Sequence, residues 1–186
     1  MRHTYIRDSI LPPTVSLPRL MPDQSDRGFR QMMYDLTLVG SYIERIRGHF
    51  ATTIGITAPQ YNILMAVSHL GMEEGVEIGR VAQHLHVSSA FVTTEIRKLV
   101  EAGWVDKAPN PRDQRSVLLA LTKKSKKTIG DLTDTIQEVN DHFFGVMSKA
   151  EFETFSDLLR RLVLSGGQTD RMAQDLLTVR ARRTDE

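Results

Sequence analysis

Residues 78–104 read IGRVAQHLHVSSAFVTTEIRKLVEAGW, and they divide into a helix, a tight turn and a second helix. Ile78 to Leu85 is long enough for two turns, with Val81, Ala82 and Leu85 at helical spacing on one side. His86 and Val87 make the turn. Ser88 carries a hydroxyl suited to capping the next helix, which runs to about Ala102, where Gly103 supplies a stop. Val92, Ile96 and Leu99 share the inner face of that second helix. Ser89, Ala90, Thr93, Thr94, Arg97 and Lys98 take the outer one.

Downstream the period shortens. Trp104–Lys107 and Ser116–Leu121 read as strands around a polar tip at Asn110–Arg115, a β-hairpin whose tip carries Arg112 and Arg115. Upstream, Phe29, Met32, Met33, Leu36, Val39, Ile43, Ile46 and Phe50 recur every three or four residues, which predicts a long amphipathic helix ended by Gly55. Thr57-Ala-Pro-Gln60 has the form of a capping box and opens a helix through Ile63, Leu64, Val67 and Leu70; Gly71 and Gly75 frame the turn after it.

Thr122 begins another long helix bearing Ile129, Leu132, Ile136, Val139, Phe143 and Met147. A second capping box, Ser148 to Glu151, starts a helix that Ser165-Gly166-Gly167 is expected to end, and Thr169–Arg183 forms one more. Residues 1–25 hold Pro12, Pro13, Pro18 and Pro22 and read as an extended arm. The expected fold is mainly α with a small β-hairpin wing: a winged helix-turn-helix plus a helical dimerisation region. The divisions are an arm at 1–25, a dimerisation helix at 26–56, a winged helix-turn-helix domain at 57–122, and C-terminal dimerisation helices with a basic tail at 123–186.

Charge locates the function. The net charge is only +1, yet Arg97 to Lys127 holds nine Lys/Arg against three Asp/Glu. Phosphate neutralisation needs such local segregation. A recognition helix presents small polar side chains to base edges in a major groove about 12 Å wide. The candidate DNA-binding residues are therefore Ser88, Ser89, Thr93, Thr94, Arg97 and Lys98 on the helix and Arg112 and Arg115 on the hairpin, the last two suited to a minor groove.

Other classes find little support. The chain has no cysteine, which removes disulfides and thiolate metal sites. The histidines (3, 49, 69, 84, 86, 142) are scattered, and His84 and His86 stand two apart, pointing to different sides of a helix. No phosphate-binding glycine loop, nucleophile elbow or acid/base carboxylate pair is present, so neither an enzyme nor a cofactor or metal is expected. No secretory signal and no run of about 20 apolar residues is seen, and a cytoplasmic protein with no membrane span is expected.

Three stretches, Ile78–Leu85, Val87–Thr93 and Leu99–Val105, resemble the MarR family of winged-helix regulators, as do Asn110–Thr122 and Ile56–Tyr61. The resemblance implies a homodimer in which the first and last helices interlock, repression from a pseudo-palindromic operator, and release by a small, often anionic aromatic effector. Tyr42, Arg45 and His49, at i, i+3 and i+7 of the first long helix, with Tyr61 near the start of the next, are the candidate ligand-binding residues; ordinary helix packing is the competing reading. Two departures stand out. Glu95 takes a position usually apolar, and Arg97 one commonly acidic. Arg97 is therefore expected to contact DNA directly and Glu95 to pair with a base such as Arg115. Ser125 replaces a frequent glycine. A winged-helix protein-interaction module without specific DNA binding is the alternative, and Phe91 is the residue that points to it.

Overall fold

The computed structural model describes residues 12–72 and 74–184, with the side chains of 114 and 181–184 outside the description. The first eleven residues of the expected arm therefore lie outside the described residues, as does the end of the basic tail. Two compact units meet between Asp131 and Leu132.

The first unit begins with a short arm tied to a helix start. Asp26 precedes helix α1 (Arg27–Thr53) without capping it. Its buried carboxylate instead accepts from the Thr14 backbone N–H at 2.8 Å and the Thr14 hydroxyl at 2.9 Å, and pairs with Arg30 at 3.2 Å. Only Phe50 and Ala51 of α1 are buried; the rest of its apolar stripe is half-buried or exposed.

Helix α2 (Ala58–Gly71) opens on the expected capping box. Thr57 accepts from the Gln60 N–H, and Gln60 accepts from the Thr57 N–H. Gly75, at φ +81°, then turns the chain into strand β1 (Val76–Glu77). A Cβ there would stand 3.1 Å from both the Leu118 Cβ and the Leu119 carbonyl oxygen, so the turn requires glycine.

Helices α3 (Ile78–Leu85) and α4 (Ser89–Glu101) follow, joined through His86 in the left-handed conformation (φ 53°, ψ 42°). Strands β2 (Val105–Asn110) and β3 (Asp113–Leu121) complete an antiparallel sheet ordered β1-β3-β2. Val76 pairs with Leu119 across β1 and β3, and Val105 with Leu121 across β2 and β3. The hairpin turn is tighter than the sequence suggested. Asn110 already pairs with Asp113, which leaves Arg112 in the turn and moves Arg115 into β3.

One core holds these elements. Ile63, Leu64 and Val67 of α2, Val81 of α3, and Val92, Ile96 and Leu99 of α4 pack with Val76, Trp104, Val105 and Leu119. Each fully buried aliphatic side chain contributes about 1.5–3 kcal/mol. The core thus fixes α4 along its inner edge and leaves its outer edge to solvent.

The second unit contains the end of α5 (Lys123–Phe144) and helix α6 (Lys149–Thr184). The expected capping box is present: the Ser148 N–H donates to Glu151 at 2.8 Å. The expected break at Ser165-Gly166-Gly167 is not. The helix runs through both glycines as one element. A glycine pair lowers helix propensity but removes no backbone donor, as proline would, and Thr169 returns its hydroxyl to the Ser165 carbonyl at 3.0 Å across the site. Phe152, Leu162, Leu164, Met172, Leu176 and Leu177 are all exposed. No helix among the described residues is long and apolar enough to cross a membrane.

Candidate nucleic-acid interface

The outer face of α4 is built by its cap and its register. The Ser88 hydroxyl accepts from the Phe91 N–H at 3.2 Å, satisfying a donor of the first turn. Burial of Val92, Ile96 and Leu99 then forces Ser89, Thr93, Thr94, Arg97 and Lys98 outward, and all are exposed. Thr93 donates its hydroxyl to the Ser89 carbonyl at 2.7 Å, and Thr94 to the Ala90 carbonyl at 3.1 Å. Both threonine rotors are thereby set.

Beside this face lies an open groove of about 390 Å³ lined by Thr93, Thr94, Arg97, Val100, Glu101 and Lys107. Lys107, on β2, joins the candidate set although the sequence placed it only in the basic run. Arg97 reaches Glu101 at 4.0 Å, with both side chains mostly exposed, a weak restraint that leaves the guanidinium available.

The wing is anchored by a residue that sequence reasoning missed. Asn110 is buried, donating to Glu77 at 2.7 Å and Ser116 at 2.9 Å, and its carbonyl accepts from the Arg112 N–H at 2.9 Å. Ser116 also donates to Glu77 at 3.2 Å. The turn bearing Arg112 is thus tied to β1, and the Arg112 guanidinium lies 3.6 Å from Glu74. Arg115 is exposed on β3, with its N–H bonded to Asp113 at 3.0 Å.

Glu95 is not paired with Arg115 as expected. Its carboxylate is taken up by Lys98 at 2.6 Å and Gln60 at 3.0 Å. The Lys98 hydrogen bond, helped by Gln60, holds the carboxyl below the usual range against the opposing effect of burial.

The candidate ligand residues divide. On α1 the Arg45 guanidinium stands 4.6 Å from the Tyr42 ring centre and donates to Ser41 at 2.9 Å, and Tyr42, Arg45 and His49 are all exposed. Tyr61 is 4% exposed and packs on Phe50 at 6.1 Å between ring centres, so it serves the α1–α2 contact. Burial raises its phenol pKa. Among the described residues, no cluster of three or more His, Asp or Glu is arranged to hold a metal ion.

Comparison with known proteins agrees with this geometry. Residues 54–116 match the MarR family model. The multiple antibiotic resistance protein MarR of Salmonella typhimurium is 31% identical over 85 residues, 46% of this chain and 57% of that protein. The transcriptional activatory protein BadR of Rhodopseudomonas palustris is 33% identical over 72 residues, 39% of this chain and 41% of its own. The chain therefore spans about half the length of these curated relatives. A solved E. coli MarR variant complexed with operator DNA superposes with TM-score 0.60 at 22% identity, over 71% of this chain and 93% of that one. The S. aureus MepR–DNA complex does so with TM-score 0.60 at 17% identity, over 71% and 95%.

Proposed function

We propose that this chain, whose residues 54–116 match the MarR family model, is a sequence-specific double-stranded-DNA-binding transcription regulator acting as a homodimer. The observation that carries this reading is the two-sided character of α4. Its inner face completes the core, while its outer face offers Ser89, Thr93, Thr94 and Arg97 beside a wing bearing Arg112 and Arg115. Small polar groups of that kind suit base edges, and the arginines suit phosphate or a minor groove. Ser88 is spent on the helix cap.

The helix of 26–56 and the helices of 123–186 supply the dimer. Their exposed apolar residues form stripes that a second copy would cover. Two α4 helices would then sit about 34 Å apart on a pseudo-palindrome. Repression is the default mode, and the effector is a small aromatic acid held by the Tyr42–Arg45 pair. The protein works in the cytoplasm without a catalytic role.

The test is binding of the purified chain to labelled DNA from upstream of its own gene, against a shuffled duplex, at two salt concentrations. Preference for the native duplex that persists at high salt supports the reading. Equal, salt-labile binding to both leaves only phosphate attraction. Phe91, 39% exposed beside the cap, is the observation that favours a protein-interaction module instead, and absence of binding to any duplex would shift the reading to that alternative.

A further inference from the structure

Glu95 sits on the core-facing side of α4, 8% exposed, at a position where a carboxylate is costly unless both oxygens are paired. Both are. Oε2 accepts from Gln60 Nε2 at 3.0 Å and Oε1 from Lys98 Nζ at 2.6 Å. Gln60 is itself fixed, because its Oε1 accepts from the Thr57 N–H at 3.1 Å in the capping box of α2. A continuous chain of hydrogen bonds therefore runs from the first turn of α2 to the outer face of α4. It ends on a lysine whose side chain is half exposed.

We propose that Glu95 is an internal counter-ion that withholds Lys98 from the phosphate backbone, making Lys98 a positioning residue of α4. The inference rests on the DNA-binding reading above. For Lys98 to reach a phosphate it must leave a short, charge-assisted bond and strand a largely buried carboxylate oxygen, which is a steep penalty. Arg97 faces no such penalty, since its 4.0 Å contact with Glu101 is exposed on both sides. Two adjacent cations on one helix face thus have different duties. Arg97 neutralises DNA, and Lys98 neutralises the protein.

Salt dependence separates these duties, because each phosphate contact adds about 0.9 to the slope of log K against log salt on duplex DNA. The measurement is fluorescence anisotropy of the full chain on a labelled mixed-sequence duplex across a salt series. It compares the unsubstituted chain with Lys98→Ala, Glu95→Gln and the double variant. Lys98→Ala should leave the slope unchanged. Glu95→Gln, which frees the ammonium, should steepen it by about 0.9 and tighten binding at low salt, and the double variant should restore the original slope. A slope flattened by about 0.9 in Lys98→Ala alone, or unchanged in a folded Glu95→Gln, overturns the proposal. Should Glu95→Gln not fold, the surface variant Lys98→Ala decides by itself. Failure of the unsubstituted chain to bind any duplex would instead overturn the parent reading.

Discussion

The ammonium of Lys124 lies 4.4 Å from the centre of the Trp104 ring and donates at 2.9 Å to the carbonyl of Ala102, the C-cap residue just after α4. One cation from the start of α5 thus closes the C-terminal end of the outward-facing helix, where the helix dipole favours positive charge. Lys124→Ala should lower stability by about 1 kcal/mol, the sum of a cation–π contact and a helix-end charge at a partly exposed site. Urea unfolding followed by Trp104 fluorescence measures this directly. An unchanged midpoint would show that the contact is not maintained in solution.

His86 holds a left-handed conformation between α3 and α4 that a side chain makes unfavourable. Its backbone N–H bonds to the Gln83 carbonyl at 3.3 Å, a bond that a glycine would keep. His86→Gly should relieve about 1–2 kcal/mol of strain and give back about 0.5–1 kcal/mol in chain entropy, for a small net gain in melting temperature. A lower melting temperature would show that the ring itself contributes to packing.

Asn110→Ala should cost about 1–3 kcal/mol, because it leaves the Glu77 carboxylate and the Arg112 N–H without their buried partner. The effect should concentrate in the wing. Hydrogen exchange should speed up at the β2–β3 turn while the amides of α2 and α4 stay protected. Uniform loss of protection would identify a global role instead.

The Thr14–Asp26 clamp gives a pH dependence of known sign. The backbone hydrogen bond from Thr14 is the largest cause of a lowered carboxyl pKa; the Thr14 hydroxyl and Arg30 add to it, and burial opposes it. A carboxyl depressed in the folded state contributes stability above its ordinary value of 3.8 and loses it as pH falls through the lower folded value. Asp26→Asn should therefore be less stable than the parent at neutral pH, and the difference should close in acid. A gap that persists at low pH would rule out ionisation as its source.

Much of this was legible in the residues. Both capping boxes, the Ser88 cap and the inner stripe of α4 follow from local chemistry acting over three or four positions. What escaped notice depends on distant partners or weak signals. Strand β1 has two residues, too few for an alternating pattern, and forms only because β3 offers an edge. Asp113 and Arg115 resemble turn residues, yet both lie in β3: Asp113 pairs with Asn110, and Arg115 falls in the register shift that follows. The partner of Glu95 was mistaken because Gln60 lies 35 positions away and Lys98 was assigned outward. Gly166 and Gly167 resembled a stop signal, but no proline or left-handed residue follows to enforce it. Tyr61 bears a polar tip and was placed with the ligand residues, while its ring is used against Phe50.

On the proposed DNA-binding reading, the threonine rotors on α4 have a consequence for which bases an operator would contain. With their protons committed to the Ser89 and Ala90 carbonyls, Thr93 and Thr94 offer lone pairs and methyl groups but no donor. Docked in a major groove, they would accept from the amino groups of adenine or cytosine and touch the methyl of thymine, while guanine's O6 and N7 would find nothing to accept from. Guanine is then left to Ser89, at the start of the helix, and to Arg97. Selection from a random duplex pool should return half-sites with A, C or T opposite Thr93 and Thr94 and any fixed guanine to either side of them. Guanine enriched under Thr93 would mean that the hydroxyls turn away from the helix on binding.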